Sequence, residues 1–214
     1  MKRHFFLFLI FIIGFVSTAI SQQVNSDFLF REFQDAVISF SNGTISNEKI
    51  NYNVRYKELH YIDRNDASEK IISNAEIIRV IKTGNRSFVM TKGSLQEVLP
   101  TTPPIYIEYL PKTQAKAKEA GYGSTSQTSD ISSYSIGQKN SFIPDANKLE
   151  TVGFSKCYWI EKNGDKKKFI NFKQFLNIYS KHKVVLNEHI KTNKIEFDNA
   201  QMIIDICLYA ESLN

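Results

Sequence analysis

The chain of 214 residues contains few of the residues that dominate specialised classes of protein: two cysteines, five prolines, nine glycines and one tryptophan. Two cysteines allow at most one internal disulfide, which excludes a disulfide-dense scaffold. Low glycine and proline counts exclude a collagen-like chain. Apolar residues make up 42% and charged residues 23%, so a highly charged disordered chain is excluded as well. The length suits one domain, or one domain with a small appendage.

Long apolar runs are also scarce, since a single one occurs, over residues 5–16. It follows a basic start and precedes small residues at 17–21, which is typical of a secretory signal peptide. Ala19 and Ser21 suit the −3 and −1 positions of a signal peptidase site, so we predict a leader over 1–21. An uncleaved anchor is the alternative, although about 20 apolar residues are needed for a span. No cysteine stands directly after the run, which excludes a lipoprotein anchor, and no later stretch predicts a spanning helix.

The predicted cleavage also changes the charge. The leader removes two of the 27 basic residues and none of the 22 acidic ones, so the net charge falls from +5 to +3. This excess is too small to indicate a nucleic-acid partner. We therefore expect an exported protein, periplasmic or secreted, whose partner is an envelope protein or polymer.

Export places the two cysteines, Cys157 and Cys207, in an oxidising compartment where a disulfide persists. Cys157 lies in a strand-like run and Cys207 in a helix-like one. Two interpretations stay open: two separately buried small apolar side chains, or one bridge.

The first part of the mature chain, residues 22–111, has the pattern of successive strands. Ala36, Ile38 and Phe40 alternate with more polar neighbours and lead to Asn42-Gly43, the strongest short hairpin signal. Further strand-like runs cover 51–56, 59–61, 76–82, 86–91, 95–99 and 105–110. Their regular spacing predicts an antiparallel meander, and the run at 105–110 is apolar on both faces, which predicts a central strand.

One change of pattern predicts a local irregularity. Tyr52, Val54 and Tyr56 share one face of a strand, whereas the apolar residues from Leu59 onward have the opposite parity. A side-chain period of two cannot change parity without an extra residue, so we predict a tight turn or bulge at residues 57–58.

Residues 112–147 are rich in Ser, Thr, Gly and Lys and nearly lack apolar periodicity. This composition predicts a polar flexible loop. A loop of this length in a compact domain is either disordered or functional. The functional interpretation is a binding loop anchored by Tyr122, Tyr134 and Phe142.

The last part of the chain, residues 148–214, begins with a hairpin pattern. Residues 151–161 form a strand-like run that holds the one tryptophan, 163–165 suit a turn, and 166–170 suit a short return strand.

The pattern then becomes helical. Asn171 with Gln174 resembles a capping box, Asp198 with Gln201 repeats that pattern, and a second short helix is predicted over 184–192. The predicted buried stripes comprise Phe172, Phe175, Leu176 and Tyr179 in the first helix, and Ile203, Ile206, Cys207 and Ala210 in the last. The predicted fold class is α+β: an antiparallel β-meander, a long polar loop, a β-hairpin and small C-terminal helices packed on the sheet, with 22–111 and 148–214 in one domain.

Several ordered segments carry a family resemblance. They are the leader, the NGT hairpin, INYNVRYKELHYI, EIIRVIKTGNRSFV, AGYGSTSQTS, YWIEKNGDKKKFINFKQFLNIY and HIKTNKIEF. Together they resemble a widespread group of secreted proteins of unknown function from Bacteroidetes-type bacteria, over most of the mature chain. The resemblance implies export across the inner membrane of a Gram-negative cell, and it implies no activity and no functional residue.

Motifs for reaction centres are not found in neighbouring residues. Beyond the leader, the histidines are His60, His182 and His189, without the spacing of a metal site, and there is no Cys-x-x-Cys pair. The Gly-rich stretch at 121–124 lacks the Gly-x-Ser-x-Gly elbow and the third glycine of a dinucleotide site. We therefore expect no cofactor and no metal.

Two groups of residues have both a structural and a functional interpretation. Lys166, Lys167 and Lys168 suit a solvated edge strand that discourages edge-to-edge pairing, or a contact with anionic envelope polymers or lipid head groups. The strand aromatics suit packing within the sheet, or a stacking platform for sugars or a peptide groove. These aromatics are Tyr52, Tyr56, Tyr61, Tyr106, Tyr109, Tyr158 and Trp159.

These observations favour an exported, non-enzymatic envelope or secreted protein that binds another component. The alternative is an exported hydrolase whose site is assembled from residues scattered in the sequence. A deep pocket with converging acids would favour the enzyme, and a flat surface with an apolar patch would favour the binding module.

Overall fold

A computed structural model describes residues 27–115, 118–120, 124–126, 149–162 and 164–213. The predicted leader over 1–21 and the predicted loop anchors Tyr122, Tyr134 and Phe142 lie outside these ranges.

The described elements are twelve strands and three α-helices. The strands are β1 Gln34–Phe40, β2 Ile45–Asn53, β3 Glu58–Ile62, β4 Glu69–Ile71, β5 Ile78–Thr83, β6 Arg86–Thr91, β7 Ser94–Leu99, β8 Ile105–Ala115, β9 Lys118–Ala120, β10 Ser124–Ser126, β11 Leu149–Lys162 and β12 Asp165–Phe169. The helices are α1 Phe172–Ile178, α2 Lys183–Thr192 and α3 Ala200–Ser212, with 3₁₀ turns at Ala75–Ile77 and Ser180–His182.

Ten of these strands form one antiparallel sheet in the order β12-β11-β8-β7-β6-β5-β1-β2-β3-β4, and β9 pairs with β10 separately. Most neighbours in the sheet are consecutive in the chain, which is the predicted meander. β8 lies inside the sheet between β7 and β11, as its apolar residues on both faces predicted. The α+β fold class with small C-terminal helices is confirmed.

The predicted irregularity after β2 is a four-residue turn, and it begins earlier than the sequence pattern indicated. The strand ends at Asn53, whose side-chain oxygen accepts hydrogen bonds from the backbone N–H groups of Arg55 and Tyr56. Lys57 takes a positive φ of 60° and closes the turn. The alternation of Val54 and Tyr56 with polar residues therefore resembles a strand but belongs to a side-chain-stabilised turn.

Strand β8 continues beyond the predicted start of the polar loop, as far as Ala115, paired with the start of β11. The Gln114 side chain donates to Glu150 across this pair at 2.7 Å. The extension is made of polar residues, so no apolar alternation signals it.

One face of the ten-stranded sheet, here the inner face, carries two apolar clusters. The N-terminal core comprises Ala36, Ile38, Ile50, Tyr52, Val54, Leu59, Ile78, Ile81, Phe88 and Leu95. In this half the sheet curls onto itself, because the Tyr52 hydroxyl in β2 accepts from the Leu95 backbone N–H in β7 at 3.2 Å. The Lys57 ammonium likewise reaches the Ser94 hydroxyl at 2.9 Å.

In the other half the inner face is covered by the helices. The C-terminal core comprises Ile105, Ile107, Tyr158, Ile160, Phe169, Phe175, Leu176, Tyr179, Leu186, Ile190, Ile203, Ile206, Cys207 and Ala210. The helices are short and amphipathic, so this burial is their main source of stability. None of the described helices combines the length and the hydrophobicity of a membrane span.

The first helix begins as predicted and the last begins one residue later. Asn171 caps α1 by accepting from the Gln174 N–H at 2.9 Å. For α3 the cap is Asn199, which accepts from the N–H groups of Gln201 and Met202, so the expectation of Asp198 at the cap is wrong. Both residues are good caps, and backbone geometry decides between them.

The two cysteines are free thiols, buried in different places. Cys207 belongs to the C-terminal core together with Tyr158. Successive side chains of a strand point to opposite faces, so Cys157 lies across the sheet from that core. A bridge would have to pass through the sheet.

Candidate functional site

The outer face of the sheet carries a group of aromatic, basic and acidic side chains near the β12 edge. Strand register places Val98, Tyr106, Trp159 and Lys168 in one row across β7, β8, β11 and β12. The next row holds Gln96, Glu108 and Cys157. We call the lysine–aromatic surface the set formed by Gln96, Tyr106, Glu108, Trp159, Glu161, Lys166 and Lys168.

Trp159 and Lys168 meet at the Glu108 carboxylate. The indole Nε1 donates to Glu108 Oε2 at 3.0 Å, and Lys168 Nζ lies 3.7 Å from the same oxygen. The ammonium is also 5.2 Å from the centre of a Trp159 ring, within reach of a cation–π contact. Glu108 is only 6% exposed, and these two partners compensate for burying its charge.

Lys166 lies over Tyr106 and makes the same kind of contact as Lys168 makes with Trp159. Its Nζ is 3.5 Å from the ring centre and 3.3 Å from the Gln96 side-chain oxygen. Burial lowers the pKa of Lys166, and the charge of Glu161 opposes that effect. Burial raises the pKa of Tyr106, as does its hydrogen bond to Glu161. Each ring of this surface therefore has a lysine above it and a carboxylate beside it.

Strand β12 places the three lysines of the predicted basic run on two different faces of the sheet. Lys166 and Lys168 belong to the outer face, whereas Lys167 points to the opposite face and pairs with Asp165 at 3.1 Å. The three lysines therefore form no contiguous cationic patch, and β12 is an edge strand of the sheet.

Most of the predicted strand aromatics serve packing. Tyr52 and Tyr158 are buried in the two cores, and Tyr61 packs against the N-terminal core. The Tyr109 hydroxyl donates to Glu97 at 2.7 Å within the inner face. Tyr56 is 56% exposed but lies in the β2–β3 turn. Tyr106 and Trp159 are directly opposite neighbours on the outer face.

The Cys157 thiol lies beside this surface and is not activated by it. Burial raises its pKa to about 12, and the nearby charge of Lys168 lowers the pKa only in part. The thiol is therefore protonated at neutral pH and a poor nucleophile or metal ligand.

A second feature is a cleft of about 580 Å³ beside the end of β11. Its walls include Glu161, Lys162, Tyr179, His182 and Glu211. The Tyr179 hydroxyl donates to Glu211 Oε1 at 2.5 Å, and Lys162 Nζ lies 3.7 Å from that oxygen. Lys162 Nζ is also 3.9 Å from the centre of the Tyr179 ring. Burial raises the pKa of Tyr179, and its hydrogen bond to Glu211 acts in the same direction, so this phenol is neutral.

The histidines are separated in the fold. His60 contacts Glu69 at 2.6 Å, His189 stacks on Tyr209, and His182 lines the cleft. Within the described ranges no three His, Cys, Asp or Glu side chains are grouped to hold a metal ion.

The cleft is absent from the sequence predictions because its walls come from distant segments, with Glu211 about fifty residues after Lys162. Tyr106 and Trp159 were visible as strand aromatics, but their shared row depends on the pairing of β8 with β11. No family model, curated protein or solved structure matches the chain.

Proposed function

We propose that this chain is an exported, non-enzymatic binding module of the cell envelope or the medium, and that it holds a polymer on the lysine–aromatic surface. The leader predicted over 1–21 supports export, and the envelope is where such a module meets extended polymers. The binding surface is the part of the proposal that the geometry supports.

The observation that carries it is the pairing of Tyr106 with Trp159 on one face of the sheet. Side chains directly opposite on neighbouring strands are about 5 Å apart at Cβ, so Tyr106 and Trp159 are adjacent aromatic side chains, here called the aromatic strip. The two lysine ammonium groups lie over the strip, and the buried Gln96 and Glu108 hold them in place. An aromatic strip beside hydrogen-bonding groups provides both packing area and orientation for a ligand.

The position of the strip suits an extended ligand. It lies one and two strands from the β12 edge, and the short β12 is followed by helices on the inner face. A polymer crossing the outer face therefore meets the rings without displacing the core.

Retention on insoluble envelope polysaccharide tests the proposal. The mature chain should sediment with the polymer, and the double variant Tyr106→Ala/Trp159→Ala should lose about tenfold or more in affinity. Tyr56→Ala is the matched control, because it removes an exposed tyrosine from the β2–β3 turn. Equal retention of the double variant and the wild type would contradict the proposed surface.

Export is tested by the N-terminus of the protein recovered from cells. We expect a mature chain beginning at Gln22 outside the cytoplasm. Full-length protein confined to the cytoplasm would contradict export.

A second candidate is an exported hydrolase acting at the cleft, favoured by the two carboxylates, Glu161 and Glu211, on its walls. Glu211 is held by Tyr179 and Lys162, and Glu161 by Tyr106, so both carboxylates already serve contacts within the fold. Release of reducing ends or of soluble fragments from the polymer, abolished in Glu211→Gln, would favour this candidate over the binding module.

A further inference from the structure

The lysine–aromatic surface is balanced in charge, and we infer that its ligand is an electrically neutral glycan rather than an anionic polymer. This inference rests on the proposed function and names the class of ligand for the same surface.

The charges of the lysine–aromatic surface are paired. Two ammonium groups, Lys166 and Lys168, face two carboxylates, Glu108 and Glu161. Lys168 Nζ lies 3.7 Å from Glu108, and the charge of Glu161 acts on Lys166. The set therefore carries no net charge, and the third lysine of the run, Lys167, is paired with Asp165 on the other face.

An anionic ligand would displace the present partners of the two lysines. Each ammonium already has an aromatic ring and a polar oxygen as partners: Tyr106 with Gln96 for Lys166, and Trp159 with Glu108 for Lys168. An anionic ligand drawing Lys168 away would leave the buried Glu108 without its cation. An uncompensated buried charge is strongly unfavourable, so the surface resists this exchange.

The hydrogen-bonding groups of the surface match those of a sugar. A sugar hydroxyl both donates and accepts, whereas a carboxylate or sulfate group only accepts. The surface offers both kinds of partner, since the half-buried Glu161 carboxylate accepts while the two ammonium groups donate. The C–H face of a pyranose ring packs on an aromatic side chain, and Tyr106 and Trp159 are two partly exposed aromatic side chains in one row, reached when the lysine side chains move aside.

The single tryptophan of the chain allows a direct test, because Trp159 is part of the surface. The mature protein is titrated with soluble neutral glycans (dextran, β-1,3-glucan, mannan and xylan) and with anionic ones (alginate, polygalacturonate and heparin), and the tryptophan emission is recorded. We expect a saturable change with at least one neutral glycan. Its affinity should change less than about twofold between roughly 0.05 and 0.5 M NaCl, because screening acts on charge–charge attraction.

Variants connect the signal to the surface. Tyr106→Ala should weaken neutral-glycan binding about tenfold or more, and Tyr56→Ala should leave it unchanged. If Tyr106→Ala fails to fold, Tyr106→Leu removes the aromatic face while retaining side-chain volume, and the same loss is expected.

The possible outcomes distinguish an error in the class of ligand from an error in the proposed binding function. One outcome is a change in tryptophan emission with anionic polymers alone, which decreases with salt and is lost in Tyr106→Ala. This result would overturn the neutral-glycan inference and leave the proposed binding module intact. No change with any polymer of either class would overturn the proposed function, and the inference with it.

Discussion

The two faces of strand β11 differ although their side chains alternate along one backbone. On the inner face, Tyr158 is fully buried, stacked on Phe169 at 5.6 Å and edge-on to Phe197 at 5.3 Å. On the outer face, the adjacent Trp159 is partly exposed and bonded to Glu108. One face therefore holds the helices on the sheet, and the other leaves aromatic and charged side chains partly exposed. Stability and binding should accordingly respond to different substitutions.

The largest effect is expected at Phe169 on the inner face. Its ring contacts Tyr158, Phe175 and Phe197 at centroid distances of 5.4–6.1 Å. Phe169→Ala leaves a cavity in the C-terminal core and should lower the free energy of unfolding by about 3–5 kcal/mol. Urea denaturation measures this. Leu208→Ala, at a position 40% exposed on α3, is the control and should cost less than about 1 kcal/mol.

A smaller effect is expected where the N-terminal core meets the helix-covered half. Arg86 donates two hydrogen bonds of 2.8 Å to the Glu97 carboxylate, which also accepts from Tyr109. Glu97→Gln should lower the free energy of unfolding at pH 7 by about 1–2 kcal/mol, since the Arg86 side chain is 31% exposed and water partly replaces the lost partner. An unchanged denaturation midpoint would contradict this role.

The Arg86–Glu97 pair also makes the free energy of unfolding depend on pH, in a direction that follows from the pKa of Glu97. Burial alone raises the pKa of Glu97, but the hydrogen bonds from Arg86 and Tyr109 outweigh it, and the pKa lies below its ordinary value. A lowered folded-state pKa stabilises the fold above the unfolded-state pKa of about 4.3, and this contribution is lost as pH falls through the folded-state value. Between about pH 5 and 3 the wild type should therefore lose more stability than Glu97→Gln.

On the outer face, Trp159→Ala should separate stability from binding. Glu108 retains Lys168 as a partner, and no core contact is removed, so the free energy of unfolding should fall by only about 1 kcal/mol. Polymer retention should fall about tenfold or more. Urea denaturation and sedimentation with the polymer provide the two measurements, and a loss of stability as large as that of Phe169→Ala would contradict the distinction between the faces.

The smallest change is expected from reductant, because the two thiols lie on opposite sides of the sheet. Burial raises the pKa of both Cys157 and Cys207, so neither should react with a thiol reagent in the folded protein at neutral pH. After denaturation both should react, with equal gel mobility in the presence and absence of reductant. A mobility shift on reduction would show a bridge and overturn this arrangement.

The sequence predicted features that a local pattern encodes. Alternation located β1 and β6, and the apolar stripe with Asn171 at its start located α1. The polar end of β8 has no such pattern, and its pairing with β11 is a long-range contact.

The candidate sites depend on the same long-range information. Lys166 and Lys168 alternate visibly, but their rings, Tyr106 and Trp159, come from different strands. Strand register decides which side chains meet, and no hairpin turn between β8 and β11 fixes the register of that pair.

We propose that the outer face of the sheet binds a polymer and that the inner face stabilises the fold. The most direct test of this proposal measures polymer retention and the urea midpoint side by side on one protein, the Tyr106→Ala/Trp159→Ala variant. We predict that retention is lost while the midpoint stays close to that of the wild type. Retention that persists, or that is lost only together with the fold, would contradict the account.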